Sequence, residues 1–215
     1  MFDDLPLFPL QLVAVPGELI PLHVFEERYR DLVARCREQD EPFGIVFADD
    51  DGLREIACTV RIVETLNEFP DGRSNILVRG EDPVRLVEVF DASSFRTAAA
   101  EVLVDDVHLA EPARQDRAVD VFRRLAQAND GDEAPNVPPR GPQLSYGLAA
   151  RVEIPHDVKQ QLLEDRDEGH RVEVITDLLE RLTAGVLVTR EIQERARRNG
   201  RVRTPEEIAG ELGLT

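Results

Sequence analysis

Lys159 is the only lysine in the chain, and it settles two questions of chemistry at once. A phosphate-binding loop needs Gly-Lys followed by Ser or Thr, so that backbone N–H groups cradle phosphate while the lysine reaches it. Here Gln160 follows the lysine, which excludes nucleotide hydrolysis by that route. A Ser-Lys dyad would have to recruit the same residue, yet Lys159 lies among Val158, Gln160 and Gln161 on a segment that reads as a solvated helix face. The serines are Ser74, Ser93, Ser94 and Ser145, and none sits in a Gly-x-Ser-x-Gly elbow. Cys36 and Cys58 lack a Cys-x-x-Cys partner and read as reduced, packed thiols, with neither disulfide nor metal expected. His23, His108, His156 and His170 show no metal-ligand spacing. Carboxylates are so abundant that a pair of them carries no information without geometry. No catalytic, cofactor-binding or metal-binding residue is assigned, and no enzyme is expected.

Charge narrows the partners further. The chain has 215 residues, with 26 Lys and Arg against 43 Asp and Glu and a net charge of −17. A surface this acidic repels phosphate backbones and anionic lipid, which disfavours general nucleic-acid and membrane-surface binding. No apolar run approaches the roughly 20 residues that a spanning helix requires. Met1-Phe2-Asp3-Asp4 is acidic where a secretory signal carries basic residues, so a soluble, cytoplasmic protein is expected. Basic residues gather in one place, where Arg190, Arg195, Arg197, Arg198, Arg201 and Arg203 face only Glu191 and Glu194.

The elements that must position these residues are of two kinds. Residues 5–104 read as short extended segments punctuated by Pro and Gly. Leu5-Pro6-Leu7-Phe8-Pro9-Leu10 holds two prolines and suits a sheet edge. Phe43 to Ala48 reads as a compact strand, and Cys58, Val60 and Ile62 alternate with polar residues. Pro70-Asp71-Gly72 predicts a hairpin turn between residues 60–66 and 74–79, because Pro presets the first turn angle and Gly accepts a positive φ. Residues 84–90 and 98–104 add two further strands. Phe25, Tyr29, Leu32, Val33 and Cys36 form one helical stripe, with Pro42 beyond its end.

From Pro112 the period turns helical, with Ala118, Val121, Phe122 and Leu125 on one face. Residues 129–142 carry too many Gly and Pro for regular structure and read as a surface loop. Pro155 opens a helix through Leu163, and a long helix follows Gly169 with Val172, Ile175, Leu179, Leu182 and Val186 on one seam. Thr204-Pro205-Glu206-Glu207 reads as a capping box opening a short helix, with no recognition helix expected after it. The expected organisation is a β-rich part over 1–110, a helical part over 111–200 and a short helix or tail over 201–215.

These pieces together resemble a known family. Leu5-Pro6-Leu7-Phe8-Pro9-Leu10, then Pro16-Gly17, then Pro21-Leu22-His23-Val24-Phe25-Glu26-Glu27-Arg28-Tyr29, then Phe43-Gly44-Ile45-Val46, match in order and spacing the N-terminal substrate-binding domain of Lon proteases. The likeness spans roughly residues 5–198 and departs at Glu81-Asp82-Pro83-Val84, where the family more often carries a longer basic and aromatic stretch. The resemblance implies an α+β fold, a β-rich PUA-like pseudobarrel followed by a C-terminal helical bundle. This is the part of Lon that handles unfolded polypeptide and assembly. Lon's ATPase and Ser-Lys protease modules lie further along its chain, so a stand-alone version without catalysis is expected.

The expected function is a non-catalytic module that binds unfolded or exposed apolar polypeptide, or partners in the proteolysis machinery, without a cofactor. The alternative is an RNA or nucleic-acid module built on the PUA-like barrel and the Arg190 to Arg203 segment. Apolar residues at strand ends and turns supply the candidate surface: Phe8 and Leu10 beside prolines, Leu22 between Pro21 and His23, and Phe69 next to Pro70. An apolar side chain at such a place either folds back on the barrel or joins an exposed patch, and exposed patches mark interaction sites.

Overall fold

Alternation of inward and outward side chains organises the first half of the chain. β2 (Leu19–Val24) buries Ile20, Leu22 and Val24 and exposes Leu19, Pro21 and His23, the period of two that a half-buried strand requires. The structure is a computed structural model that describes residues 1–91, 94–106, 110–130 and 136–199. Its remaining strands are β1 (Phe2–Leu10), β3 (Phe43–Asp49), β4 (Gly52–Leu53), β5 (Ile56–Glu68), β6 (Ser74–Phe90) and β7 (Thr97–Val102). The helices are α1 (Glu27–Gln39), α2 (Pro112–Asp130), α3 (Leu144–Ala149), α4 (His156–Glu164) and α5 (Glu168–Asn199).

The sheet is mostly antiparallel and its pairings close on themselves. β1 pairs β7, β7 pairs β6, β6 pairs β5, β5 pairs β3, and β3 returns to β1 in parallel. Closure leaves the five ring strands without a free end to the pairing order, and β2 and β4 add to the ring as short edge strands on β6 and β3. Leu5, Leu7, Val46, Ala57, Val84, Leu86, Ala98 and Ala100 pack as one small apolar cluster drawn from all five ring strands. A second, larger cluster runs from Phe8, Phe43, Ile45, Val60, Ile76 and Val78 through α1 into Val119, Phe122, Leu148, Leu163, Val172 and Leu179. Sheet and helices therefore share a continuous core.

Several expectations change at this level. β1 lies between two neighbours rather than at an edge, but β7 pairs only residues 2–6 and β3 only residues 7–10, so the prolines sit in stretches that are each paired on one side. Residues 74–90 form one long strand in place of two. Where β5 and β6 fall out of step, the Thr59 hydroxyl accepts the Asp82 N–H at 3.0 Å and donates to the Asp82 carbonyl at 3.2 Å. That side chain replaces the missing ladder bonds at the point where the sequence departs from the Lon pattern.

The helix α1 starts at Glu27 and buries Tyr29, Leu32, Val33 and Cys36, while Phe25 precedes it and is 59% exposed. Asp40 closes α1 in the left-handed conformation, with φ 50, and Pro42 follows. α5 continues as helix through Asn199, so residues 190–199 of the arginine segment are helical in backbone; residues 200–215, with the capping box, lie outside the described residues. Residues 131–135 of the predicted loop also lie outside them.

The helices are joined to each other through Arg171, which has no exposed surface. Its guanidinium donates to Asp105 at 2.8 and 2.5 Å, to Glu168 at 2.7 Å and to the Asp165 carbonyl at 2.8 Å, and it lies 4.4 Å over the Tyr146 ring. Burial pushes Arg171 toward neutrality, but the hydrogen bonds it donates to Asp105 and the charges around it win and hold it above the ordinary arginine range. Ser145 donates to Glu168 at 2.7 Å within the same group. Lys159, expected on a solvated face, is 8% exposed and bonds Glu18 at 2.5 Å, because α4 packs against the connection between β1 and β2.

Candidate functional site

The hairpin between β5 and β6 carries the exposed aromatic surface of the molecule. Its turn is built from Phe69, Pro70, Asp71 and Gly72: the Gly72 N–H bonds the Phe69 carbonyl at 2.9 Å and the Phe69 N–H bonds the Arg73 carbonyl at 2.9 Å. Gly72 has φ +84, the left-handed conformation that completes such a turn and that glycine adopts without strain. Phe69 stands at the start of the turn and is 37% exposed.

Opposite it, β2 and the residue just past its end deliver two more rings, His23 and Phe25. His23 pairs with Asn75 on β6, and its Nδ1 lies 2.6 Å from the Asn75 Oδ1. The His23 ring stacks on Phe25 at 5.8 Å with an interplanar angle of 20°, and it meets Phe69 edge-on at 6.3 Å. Arg73 covers the Phe69 ring at 5.3 Å. His23 thus contacts both phenylalanines, and neither folds into the core. Val63 and Leu66, each 43% exposed, belong to the same arm; each is the extra residue of a β5 bulge, which turns an apolar side chain outward.

The expected surface residues fall into different environments. Phe8 is 3% exposed and stacks on Tyr29 at 4.1 Å, and Leu22 is 7% exposed on the inward face of β2. Both are core, because the alternation of their strands turns them inward. Leu10 is half-buried and packs against the main core. Of the four, Phe69 alone lies on the aromatic surface. The helical spacing assigns Phe25 to the α1 stripe and gives His23 no role, although a signal for both is present: Leu19, Pro21 and His23 alternate outward along β2, and Phe25, just past its end, keeps that alternation.

Between α1 and the hairpin runs a groove of about 450 Å³, with Val33 and Ala34 on the helix side and Phe69, Gly72 and Arg73 on the hairpin side. The groups that could do covalent chemistry lie elsewhere. Ser145 is held by Glu168 and Arg171, and Lys159 by Glu18, so neither is available to the other. Burial pushes the Cys36 thiol up to about 12, and Cys58, enclosed completely, is pushed up as well. Among the described residues, no group of His, Cys, Asp and Glu could hold a metal ion, and no helix is long and apolar enough to cross a membrane.

The family model of the ATP-dependent protease La (LON) substrate-binding domain matches residues 4–181. The chain belongs to this family. Among curated relatives, the Lon protease of Paraburkholderia phytofirmans is 24% identical over 91% of this chain and 26% of its own length. The Lon protease of Trichlorobacter lovleyi is 27% identical over 90% of this chain and 26% of its own. The chain spans about a quarter of the length of these Lon proteases, in the part that the substrate-binding family describes. Among solved structures, the Lon N-terminal domain protein from Xanthomonas campestris superposes with a TM-score of 0.64 at 25% identity, covering 80% of this chain and 96% of that one. The N-terminal domain of the Mycobacterium avium complex Lon protease superposes at 0.60 with 15% identity over 85% of this chain and 98% of its own, a likeness of fold. The mostly antiparallel sheet with its helices is the Lon N-terminal domain fold.

Proposed function

We propose that this chain is a non-catalytic polypeptide-binding module that takes exposed apolar segments of unfolded protein on the surface made by Phe25, His23 and Phe69. The observation that carries the proposal is the pair of phenylalanines, 59% and 37% exposed, both in contact with one histidine on a strongly acidic molecule. A rigid aromatic surface gains contact area at little entropic cost, which suits segments of varied sequence. The family membership supports the same role. In finer terms, the closed sheet corresponds to a PUA-like pseudobarrel and α2 to α5 to a helical bundle, and the module works in the cytoplasm alongside the proteolysis machinery.

Fluorescence anisotropy tests this with three labelled probes: casein, a compactly folded protein of similar size, and single-stranded RNA. Binding of casein with no binding of the other two is expected. Binding of RNA that weakens steeply with salt, and no binding of casein, would replace this reading with a nucleic-acid role for the arginine segment.

A further inference from the structure

Arg30 on α1 stands apart from the arginines around it. Arg28 pairs with Glu26, Arg37 with Glu68 and Arg73 with Asp71, at 2.8, 2.9 and 2.7 Å. Arg30 lines the groove between α1 and the hairpin, and among the described residues it has no carboxylate within ion-pair distance. Of the three arginines that line this groove, Arg37 and Arg73 are paired and Arg30 is left without a carboxylate.

Its position is nonetheless fixed. Nη1 donates to the Asp71 carbonyl at 2.7 Å, and the hairpin closes on it where Gly72 has no side chain; a Cβ there would lie 2.8 Å from Nη1. The Asp71 carboxylate is committed elsewhere. It accepts the Arg73 backbone N–H at 3.2 Å and the Arg73 Nε–H at 2.7 Å, and those bonds, the backbone one first, hold its carboxyl below the usual range. Arg30 Nε is buried with no hydrogen-bond partner among the described residues. A guanidinium carries five N–H donors in a planar fork, so one carbonyl leaves most of its capacity unused.

We infer that Arg30 forms a carboxylate-binding subsite beside the aromatic surface, so that the preferred polypeptide segments carry an acidic group next to an apolar side chain. This rests on the polypeptide-binding reading above. Phe69 and Arg30 line the same groove, so a segment whose apolar side chain lies on Phe69 and Phe25 brings its neighbouring groups within reach of the guanidinium. Glu27 and Asp31 line the groove too, and their charge restricts the subsite to one carboxylate and repels acidic runs. The carboxylate can come from an Asp or Glu side chain or from a free chain end.

Four labelled peptides with one Phe-Leu core decide the matter by anisotropy. One has neutral flanks and an amidated C-terminus; the second adds a Glu beside the core, the third adds a Lys, and the fourth keeps neutral flanks with a free C-terminal carboxylate. The Glu peptide, the free-acid peptide or both should bind about tenfold tighter than the neutral one, as one charge-assisted contact implies, with the Lys peptide weakest. Which arm gains identifies the source of the carboxylate. The advantage should shrink at high salt and vanish in Arg30→Gln, with Arg30→Lys intermediate because it keeps the charge and loses the fork. Equal binding of neutral, acidic and free-acid peptides by the wild type would overturn the subsite and leave the polypeptide-binding reading standing. A preference that persists in Arg30→Gln would likewise overturn it. Binding of none of the peptides would remove both. If Arg30→Gln does not fold, the wild-type peptide comparison and Arg30→Lys decide alone.

Discussion

Lys159 and Glu18 form an ion pair of 2.5 Å, 141 residues apart in sequence, with only 10% and 16% of their side chains exposed. Glu18 also accepts the Val15 N–H at 3.2 Å, so the pair ties α4 to the loop that leads into β2. Removing one partner leaves the other charge buried without compensation. Lys159→Met should therefore destabilise the protein by about 3 kcal/mol, near the low end for a buried pair because some solvent reaches it. The double variant Lys159→Met/Glu18→Gln should recover part of that loss. Urea denaturation of the wild type, both single variants and the double variant measures the coupling, and strictly additive losses would show that the two do not act as a pair.

Two glycines make contrasting demands. A Cβ on Gly80 would lie 2.1 Å from the Val15 carbonyl oxygen, which is backbone and cannot turn aside. On Gly72 it would meet the end of the Arg30 side chain, which can shift only by giving up its bond to the Asp71 carbonyl, and a further cost comes from φ +84. Gly80→Ala should cost about 3 kcal/mol or more through displacement of packed backbone, and Gly72→Ala about 1 to 2 kcal/mol through the left-handed conformation. Thermal melts of the two variants should keep this order.

Stability should fall on the alkaline side. Burial pushes the Cys36 thiol up from 9.0 to about 12 and the Tyr146 phenol up from 10.0 to about 12, the latter against the opposing charges of Arg171 and Arg166. Both folded-state values lie above the unfolded ones. The stability these groups contribute is complete below pH 9 and is lost as pH rises toward 12, because the unfolded chain releases its protons first. Melting temperatures measured from about pH 8 upward check this, and Cys36→Ala should make the decline shallower.

Much of the architecture was readable from local chemistry, and what escaped was set by distant partners. The hairpin at Pro70-Asp71-Gly72 is legible because turn geometry depends on adjacent residues. The stripe of Tyr29, Leu32, Val33 and Cys36 is legible because helical spacing is local. Lys159 read as solvated because its own helix offers no carboxylate in reach, and Glu18 arrives only through the tertiary fold. Phe25 has the spacing of the α1 stripe, yet the helix begins two residues later and leaves it exposed in the connection just past β2. Phe8 and Leu22 stand beside prolines, which suggested turns; in the fold both prolines lie within strands, and alternation buries their neighbours. Arg30 could not be distinguished from the other arginines, since its lack of a carboxylate partner exists only once α1 and the hairpin are side by side.

The most direct test of the aromatic surface is the affinity for casein of the double variant Phe25→Ser/Phe69→Ser, measured beside its melting temperature. Both rings are exposed, so melting should stay within about 2 °C of wild type, as for surface substitutions. Affinity should fall at least about tenfold, because exposed aromatic anchors dominate such contacts. Phe8→Ala provides the contrast: it empties a core position and should lower stability by about 3 to 5 kcal/mol. Unchanged affinity for casein in the double variant, or a fall in melting as large as that of Phe8→Ala, would contradict the account.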